Sequence, residues 1–413
     1  MPDCKNDSSA AMTRRPALAI WPRALRRALV IPLAMLVLVA SGCRGCNSQA
    51  TSADQTEEEL AEQKKKQLAE KKKLEDLEIM PLLPLLGQEP TPQDDEQEES
   101  PQVKPGLLVK PGHWTTTVQE MKANYDDFVG MSSTTLVDSK QRPAPLADTN
   151  FTFRSTRPVA LAKGRAKRIE SEMFVPQQSQ GVQVQATLTN RSSGYPVEMP
   201  QPVLQKMPSY QYFIVVLSEE ISKYGFLKVT DAVRMPWEEE FDAASQPHYR
   251  VVLADATKRL PLPSNPLTWS SVAHFIWDEV DPTRMTPEQQ TALVDWVYWG
   301  GRLIINGPDS LDSLRGSFLD ELLPADAGGP RTLTTADLSE WSDYWSRRDR
   351  GQKPPPLKPA KPWSGIKLKP RAAAGELAGG SQLFYERNVG RGTVVLSAIQ
   401  LSERDLINWP GYD

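Results

Sequence analysis

Apolar and polar residues alternate with a period of two in several stretches between residues 110 and 207. The segments NFTFRSTRPVAL (150–161) and GVQVQATLTNRSSG (181–194) show the alternation most clearly, and residues typical of turns bound both of them. A period of two indicates strands with one buried face. Apart from a short candidate helix over Thr115–Phe128, the pattern predicts a small β-rich module, either a β-sandwich or an irregular arrangement of strands.

From residue 208 to residue 413 the pattern changes to short apolar runs separated by amphipathic segments. The runs YQYFIVVLS, YRVVLADA, SVAHFIWDE and RLIIN are typical of strands that are buried on both faces. The segment SEEISKYGFLKV predicts a helix and a turn, and QLFYERNVGRGTVVLSAI predicts a hairpin around a glycine-rich turn. Strands that alternate with helices predict an open, mostly parallel α/β sheet.

The clearest helix is predicted over TPEQQTALVDWVYWGG. Thr286 and Gln289 have the spacing of a capping box, and Pro287 suits the first helical position. The glycine pair at 300 and 301 is typical of a helix end. A second amphipathic helix is predicted over PDSLDSLRGSFLDELLP.

An insertion at residues 325–380 separates this second helix from the terminal hairpin. It is rich in proline, tryptophan and basic residues, and tryptophan and arginine are frequent at binding hot spots. The segment is therefore a candidate partner surface. Its candidate contact residues are Trp341, Trp345, Arg347, Arg348 and Trp363. The alternative is a solvated loop whose tryptophans pack back onto the sheet.

Residues 1–43 have the three-part pattern of an export signal: an arginine-rich segment, an uncharged apolar run from Ala28 to Ala40, and small residues. The run is shorter than the roughly 20 residues that span a membrane. Ala40-Ser41-Gly42-Cys43 resembles the lipobox of bacterial lipoproteins, with Ala40 where that family usually has Leu. The resemblance implies cleavage before Cys43 and acylation of its sulfur. An uncleaved signal anchor and ordinary secretion are the alternatives, and all three place the remaining chain outside the cytoplasm.

Residues 44–109 are predicted to form a spacer. Residues 54–80 are strongly charged and predict one helix, either solvated and single or part of a coiled coil. The following segment is rich in proline and then in acidic residues, which is typical of disorder. Such a spacer would hold the domains away from the membrane.

The stretch TPEQQTALVDWVYWGGRLIINGPDSL resembles a recurring element of class I glutamine amidotransferase-like domains, and VGRGTVVLSAI is similar to their terminal hairpin. The resemblance covers the chain from residue 210 to residue 410 and implies a flavodoxin-like sheet. Amidotransferases of this class use a cysteine nucleophile, whereas all three cysteines of this chain precede the domain. The resemblance therefore implies a member without that nucleophile.

Polar side chains that follow parallel strands meet at one edge of the sheet, where open α/β proteins bind their ligands. Ser218, Glu219 and Glu220 would stand at this edge after the first strand. The candidates for a ligand rim are Asp255, Asp278, Glu279, Asp281, Asn306, Asp309 and Ser310. Their oxygens are ligands that Mg²⁺ and Ca²⁺ prefer. The alternative, which we favour, is that they cap helices and turns. We therefore predict no catalytic residue and no metal site.

Other signatures of chemistry are missing from the sequence. The chain has three histidines, His113, His248 and His274, and no G-x-S-x-G elbow surrounds any serine. There is no HExxH or CxxC zinc pattern, no P-loop and no GxGxxG. We expect no cofactor. Together with the export signal, the net charge of −4 argues against a nucleic-acid partner.

The sequence therefore predicts a membrane-tethered, extracytoplasmic protein that is a non-enzymatic binding or scaffolding module of the cell envelope. Its expected partners are the membrane, through a lipid or signal anchor, and a protein or an envelope polymer. The alternative is a hydrolase or a metal-dependent enzyme that uses the carboxylates at the strand ends. The chain could also be part of a longer protein, because little follows its last predicted strand.

Overall fold

The structure is a computed structural model. It describes residues 62, 64, 76–87, 107–138, 140–146, 149–177, 182–194, 196–199, 202–230, 233, 248–346 and 354–412. The chain divides into two compact units, Met1–Lys64 and Lys65–Asp413. All the strands and helices given below belong to the second unit.

The first half of this unit is built from strands. Its strands are β1 (Leu77–Ile79), β2 (Leu83–Pro84), β3 (Leu108–Val109), β4 (Trp114–Ala123), β5 (Phe128–Val137), β6 (Arg154–Leu161), β7 (Ala166–Phe174), β8 (Val182–Asn190), β9 (Pro196–Glu198) and β10 (Val203–Lys206). In one sheet, β4 pairs with β1, β2 and β7; in the other, the order is β3-β10-β8-β5-β6, with β9 beside β8. Residues from both sheets, among them Met121, Met173 and Leu188, share one core.

The predicted strands over 150–161 and 181–194 are confirmed by β6 and β8. The helix predicted over Thr115–Phe128 is wrong, because this segment lies in β4 and at the start of β5. β4 begins with Trp114, which is followed by three consecutive threonines and Val118. Such β-branched residues favour a pleated strand, and here the packing of the strand against β7 decides the conformation.

The end of the predicted spacer is also packed rather than extended. Residues 77–79, assigned from the sequence to the charged helix, form β1 and pair with β4. Leu82, Leu85 and Leu86 are buried, although they lie in the segment expected to be disordered. The apolar PLLPLL motif therefore belongs to the folded unit.

The second half is centred on a seven-stranded sheet. Its strands are β11 (Tyr212–Ser218), β12 (Tyr249–Asp255), β13 (Val272–Asp278), β14 (Arg302–Asn306), β17 (Ala374–Glu376), β18 (Phe384–Val389) and β19 (Gly392–Ser397). The order is β12-β11-β13-β14-β19-β18-β17. Neighbours from β12 to β19 are parallel, whereas β19-β18 and β18-β17 are antiparallel. Four strands and the hairpin lie where the sequence predicted them.

Short helices cover this sheet. They are α1 (Pro287–Trp299), α2 (Pro308–Leu314), α3 (Thr335–Trp345) and α4 (Arg404–Ile407), with 3₁₀ helices at Ile221–Lys228, Pro266–Ser271, Pro282–Arg284 and Asp320–Leu322. The capping box of α1 is confirmed: the Thr286 hydroxyl accepts from Gln289 N, and the Gln289 side chain accepts from Thr286 N. Leu293 and Val297 of α1 pack in the core with Trp277 and Ile305.

The insertion is largely folded. It contains the antiparallel pair β15 (Ala325–Leu333) and β16 (Trp363–Pro370), together with α3. Trp341 and Trp363 are buried in a third core with Phe384 and Trp409. An aromatic core therefore holds the insertion in the fold, although the proline and charge content of the insertion suggested a solvated segment.

The fold class predicted from the sequence, an open, mostly parallel, flavodoxin-like α/β sheet preceded by a small β-rich module, is wrong. The chain is mostly β, and each of its described sheets contains antiparallel pairs. Two features account for the difference. A short 3₁₀ helix stands at Ile221–Lys228, where a helix and a turn were predicted, and the pairs β15–β16, β17–β18 and β18–β19 that follow β14 in the chain are antiparallel.

Candidate functional site

Polar side chains converge at the carboxyl ends of three neighbouring parallel strands. Ser218, Asp278 and Asn306 are the last residues of β11, β13 and β14. The register aligns Ser218 with Asp278 and Asp278 with Asn306, so the three lie in one row across the sheet. Together with Tyr224, Ser310 and Gln400, they form a set of side chains that we call the strand-end network.

Asp278 is the charged centre of this network. It is only 2% exposed, and both carboxylate oxygens accept hydrogen bonds, one from Ser218 Oγ at 2.7 Å and the other from Asn306 Nδ2 at 2.8 Å. A buried carboxylate is tolerated when its oxygens are bonded in this way. The phenol of Tyr224 lies beside it, and burial, then the charge of Asp278, raises the pKa of Tyr224.

Asn306 connects the network to the segment after β19. Its Nδ2 lies 2.5 Å from Tyr224 Oη and 2.5 Å from Gln400 Oε1. Its Oδ1 accepts from Leu401 N at 2.8 Å. The amide of Asn306 therefore holds the turn after β19 against the end of β14, and both ends of the amide are occupied.

Ser310 is also fully engaged. Its hydroxyl donates to the carbonyl oxygen of Asn306 at 2.5 Å and accepts from Glu279 N at 2.8 Å. Glu279 has a positive φ of 55°, which is uncommon for a residue with a Cβ and costs free energy. The bond from its main chain to Ser310 helps to hold that conformation.

Glu279 is the half-buried acid of the site, and its carboxylate accepts from Gln400 Nε2. Burial raises the pKa of Glu279, and the charges of Asp278 and Asp309 raise it further, whereas Lys223 opposes the shift. This edge of the sheet therefore carries a concentration of negative charge.

The structure brings together four of the seven predicted rim residues: Asp278, Glu279, Asn306 and Ser310. Asp309 lies close enough to raise the pKa of Glu279. Asp255 instead accepts from Thr257 N and pairs with Lys258, and Asp281 accepts from Thr283 N. These last two carboxylates stabilise their own turns, as expected for capping residues.

Ser218 ends β11 and was among the polar groups predicted at this edge of the sheet. The two members of the network that the sequence analysis missed are Tyr224 and Gln400. Tyr224 and Gln400 lie 82 and 94 residues from Asn306 along the chain. No spacing in the sequence signals those two contacts.

The histidines lie elsewhere. His248 precedes β12 and His274 lies near the start of β13, whereas Ser310 lies beyond the opposite ends of the strands. Asp278 follows His274 by four positions in β13, about 13 Å at the usual rise of a strand. His113 Nδ1 lies 3.2 Å from Ser270 Oγ, but in the part of the chain that the structure describes no carboxylate hydrogen-bonds or ion-pairs with this histidine. Burial lowers the pKa of His113 to about 4.

Among the residues that the structure describes, no group of three or more His, Cys, Asp or Glu side chains could hold a metal ion. Within the same residues, no helix is both long enough and apolar enough to cross a bilayer. Cys43 lies outside the described residues.

Two of the five candidate contact residues on the insertion are buried in the protein. Trp341 and Trp363 are buried. Trp345 is 47% exposed, and its Nε1 donates to the carbonyl oxygen of Gly379. Arg347 and Arg348 lie outside the described residues. The tryptophans of this segment thus serve mainly to hold it on the sheet.

No family model matches the chain, and no curated protein matches it. Among solved structures, the chain is similar to the sporulation control protein Spo0M from Bacillus subtilis, with 10% identity, a TM-score of 0.19, and coverage of 32% of this chain and 50% of that one. It is also similar to a family 123 glycoside hydrolase from Clostridium perfringens, with 8% identity, a TM-score of 0.18, and coverage of 30% and 27%. A third similar structure is a Niemann-Pick type C2 protein from Japanese carpenter ant, with 8% identity, a TM-score of 0.21, and coverage of 31% and 91%. Similarities this low assign neither a fold nor a function.

Proposed function

We propose that this chain is an extracytoplasmic binding or scaffolding protein, tethered to a membrane through a lipid on Cys43 and without enzymatic activity of its own. The observation that supports the non-enzymatic part is the strand-end network. The carboxylate of Asp278 and the hydroxyl of Ser310 are buried and fully bonded to neighbouring groups. Neither group can attack a substrate or take up its proton unless these bonds break.

The alternative enzyme would need a nucleophile within reach of a base. The Ser270–His113 pair is the contact most like such a pair among the described residues. However, a catalytic histidine is usually oriented and stabilised in its charged form by a carboxylate, and the charge of Lys110 instead contributes to lowering the pKa of His113. This environment favours a structural role for the pair.

The tether is tested by Cys43→Ser, with Cys46→Ser as the matched control. We expect Cys43→Ser to move the protein from the membrane fraction to the soluble fraction and to abolish incorporation of labelled palmitate, because the acylated sulfur is the anchor. Cys46→Ser should stay in the membrane fraction. If the parent protein keeps its first 42 residues by intact mass and incorporates no palmitate, the tether is wrong and the signal is an uncleaved anchor.

The absence of an activated serine is tested with a fluorophosphonate probe, which labels nucleophilic serines. We expect the full-length folded protein to remain unlabelled. Labelling that disappears in Ser270→Ala or in Ser310→Ala would identify a nucleophile and contradict the proposed function.

A further inference from the structure

A cleft of about 690 Å³ lies between the β-rich half and the C-terminal sheet, and no member of the strand-end network lines it. Strands β6 and β7 line one side, and the segment after β12 and the start of α1 line the other. Its volume lies within the range of small-molecule sites. Five cationic side chains line it: Arg157, Arg168, Lys258, Arg259 and Arg284.

Neighbouring carboxylates neutralise only part of this charge. Arg168 pairs with Glu170 at 3.4 Å, Arg284 with Glu219 at 3.3 Å, and Lys258 with Asp255 at 3.4 Å. The remaining two cations, Arg157 and Arg259, form no ion pair with any residue that the structure describes. The carboxylates that line the cleft are Glu170, which pairs with Arg168, and Glu288.

The donors of these arginines are incompletely used. Arg157 Nη1 donates to the carbonyl oxygen of Glu170 at 2.5 Å. The other guanidinium hydrogens of Arg157 form no hydrogen bond with a residue that the structure describes. Arg168 Nε is buried and has no hydrogen-bond partner among the described residues. A buried donor without a partner costs free energy and is rare in folded proteins.

The like charges also lie close to one another. Burial lowers the pKa of Arg168, and the charge of Arg259 lowers it further, although Glu170 opposes the shift. In addition, the N-terminal turn of α1 borders the cleft through Thr286 and Gln289, and the positive end of a helix dipole favours an anion. Three independent features of the cleft thus favour a negatively charged ligand.

We propose that this cleft binds a compound with two or more phosphate groups, which Arg157, Arg168 and Arg259 contact through their guanidinium hydrogens. Guanidinium groups match the geometry of phosphate oxygens and bond them in pairs. A ligand with two phosphates would reach from the β-rich side to the segment after β12. This inference rests on the proposed binding function, for which it names the class of ligand. It does not depend on the tether at Cys43.

The test uses the full-length chain in a non-ionic detergent, with pyrophosphate as the probe in isothermal titration calorimetry. We expect Arg259→Gln and Arg157→Gln each to weaken binding by about tenfold or more, because each removes a charge-assisted bond. The matched control is Arg391→Gln, which removes an exposed arginine from the β18–β19 turn and should leave the affinity unchanged. Thermal unfolding should show the same midpoint for all three variants and the parent, because these arginines are exposed.

A second arm distinguishes the source of the phosphate. If pyrophosphate does not bind but the parent protein binds cardiolipin vesicles more tightly than phosphatidylcholine vesicles, and Arg259→Gln removes this difference, the two phosphates belong to a lipid headgroup. If the parent protein binds neither probe, or if Arg391→Gln weakens binding as much as Arg259→Gln, the proposal is overturned. Every arm of the experiment uses detergent-purified protein or added vesicles. The binding result can therefore be interpreted even if the proposed tether at Cys43 is wrong.

Discussion

The side-chain amide of Asn306 lies within bonding distance of three oxygen atoms, although its nitrogen carries only two hydrogens. One of the three, Tyr224 Oη, can turn its own hydrogen toward Asp278. The arrangement therefore satisfies the buried carboxylate from several sides. At the scale of single residues, the hydrogen bonds of the strand-end network allow the sheet to bury the carboxylate of Asp278.

Removing that amide should be costly. We expect Asn306→Ala to lower the free energy of unfolding by about 2–4 kcal/mol, because it leaves Asp278 with fewer donors and Leu401 N without its acceptor. The measurement is urea denaturation followed by circular dichroism. The matched control is Asn388→Ala at an exposed position of β18, which should change stability by less than about 0.5 kcal/mol. Equal effects of the two variants would mean that the network contributes little.

At the scale of elements, close packing fixes how α1 meets β14. A Cβ added to Gly301 would lie 2.3 Å from the ring of Trp296. That ring is buried, and its Nε1 donates to the carbonyl oxygen of Val272 at 3.2 Å, so it has little room to move. Gly301 is thus required for packing, whereas Gly300, with a φ of 128°, ends the helix.

The contact between Gly301 and Trp296 predicts that substitution by alanine changes stability differently at Gly301 and at Gly225. We expect Gly301→Ala to destabilise the protein by about 1–3 kcal/mol through overpacking, as a shift of the urea midpoint to lower concentration. Gly225→Ala is the control, since no atom lies within 4 Å of the added Cβ. Its midpoint should stay the same or rise slightly, because alanine restricts the unfolded chain. A normal midpoint for Gly301→Ala would show that Trp296 can shift at little cost.

Element prediction from the sequence succeeded where the pattern was local. Thr286, Pro287 and Gln289 define the start of α1 through contacts within one helical turn, so the spacing alone is sufficient. β4 was mistaken for a helix because its alternation is weak and its conformation depends on its pairing with β7, about fifty residues further along the chain. The type of that element depends on a partner that no local window contains.

At the scale of the whole molecule, Lys110 links the β-rich half to the C-terminal sheet. Its Nζ donates to the carbonyl oxygens of Ser209 and Gln211, both at 2.5 Å, and lies 3.7 Å from the centre of the Tyr212 ring. Burial lowers the pKa of Lys110 to about 8. The protonated amine is therefore less favoured in the folded state than in the unfolded chain.

This shift predicts how stability depends on pH. Between about pH 8 and the ordinary lysine value of about 10.4, the unfolded chain binds more protons than the folded protein at this site, so the free energy of unfolding should rise with pH. The rise should be absent in Lys110→Met and present in Lys361→Met, an exposed control. Urea denaturation at several pH values, compared as differences from the parent protein, measures it. An unchanged difference between Lys110→Met and the parent across this range would contradict the shift.

The sequence by itself determined most strand positions, the capped helix α1 and the row formed by Asp278 and Asn306, because hydrophobic period, capping spacing and strand-end position are local properties. Tertiary structure alone decided the rest. Local patterns do not show which strands pair, so the antiparallel β15–β16 pair and the mostly β architecture could not be predicted from them. Tyr224 and Gln400 joined Asn306, and Arg157 and Arg259 came to line one cleft, only when segments distant along the chain packed together. The free energy that places such groups comes from burial of the whole core, which no single segment encodes.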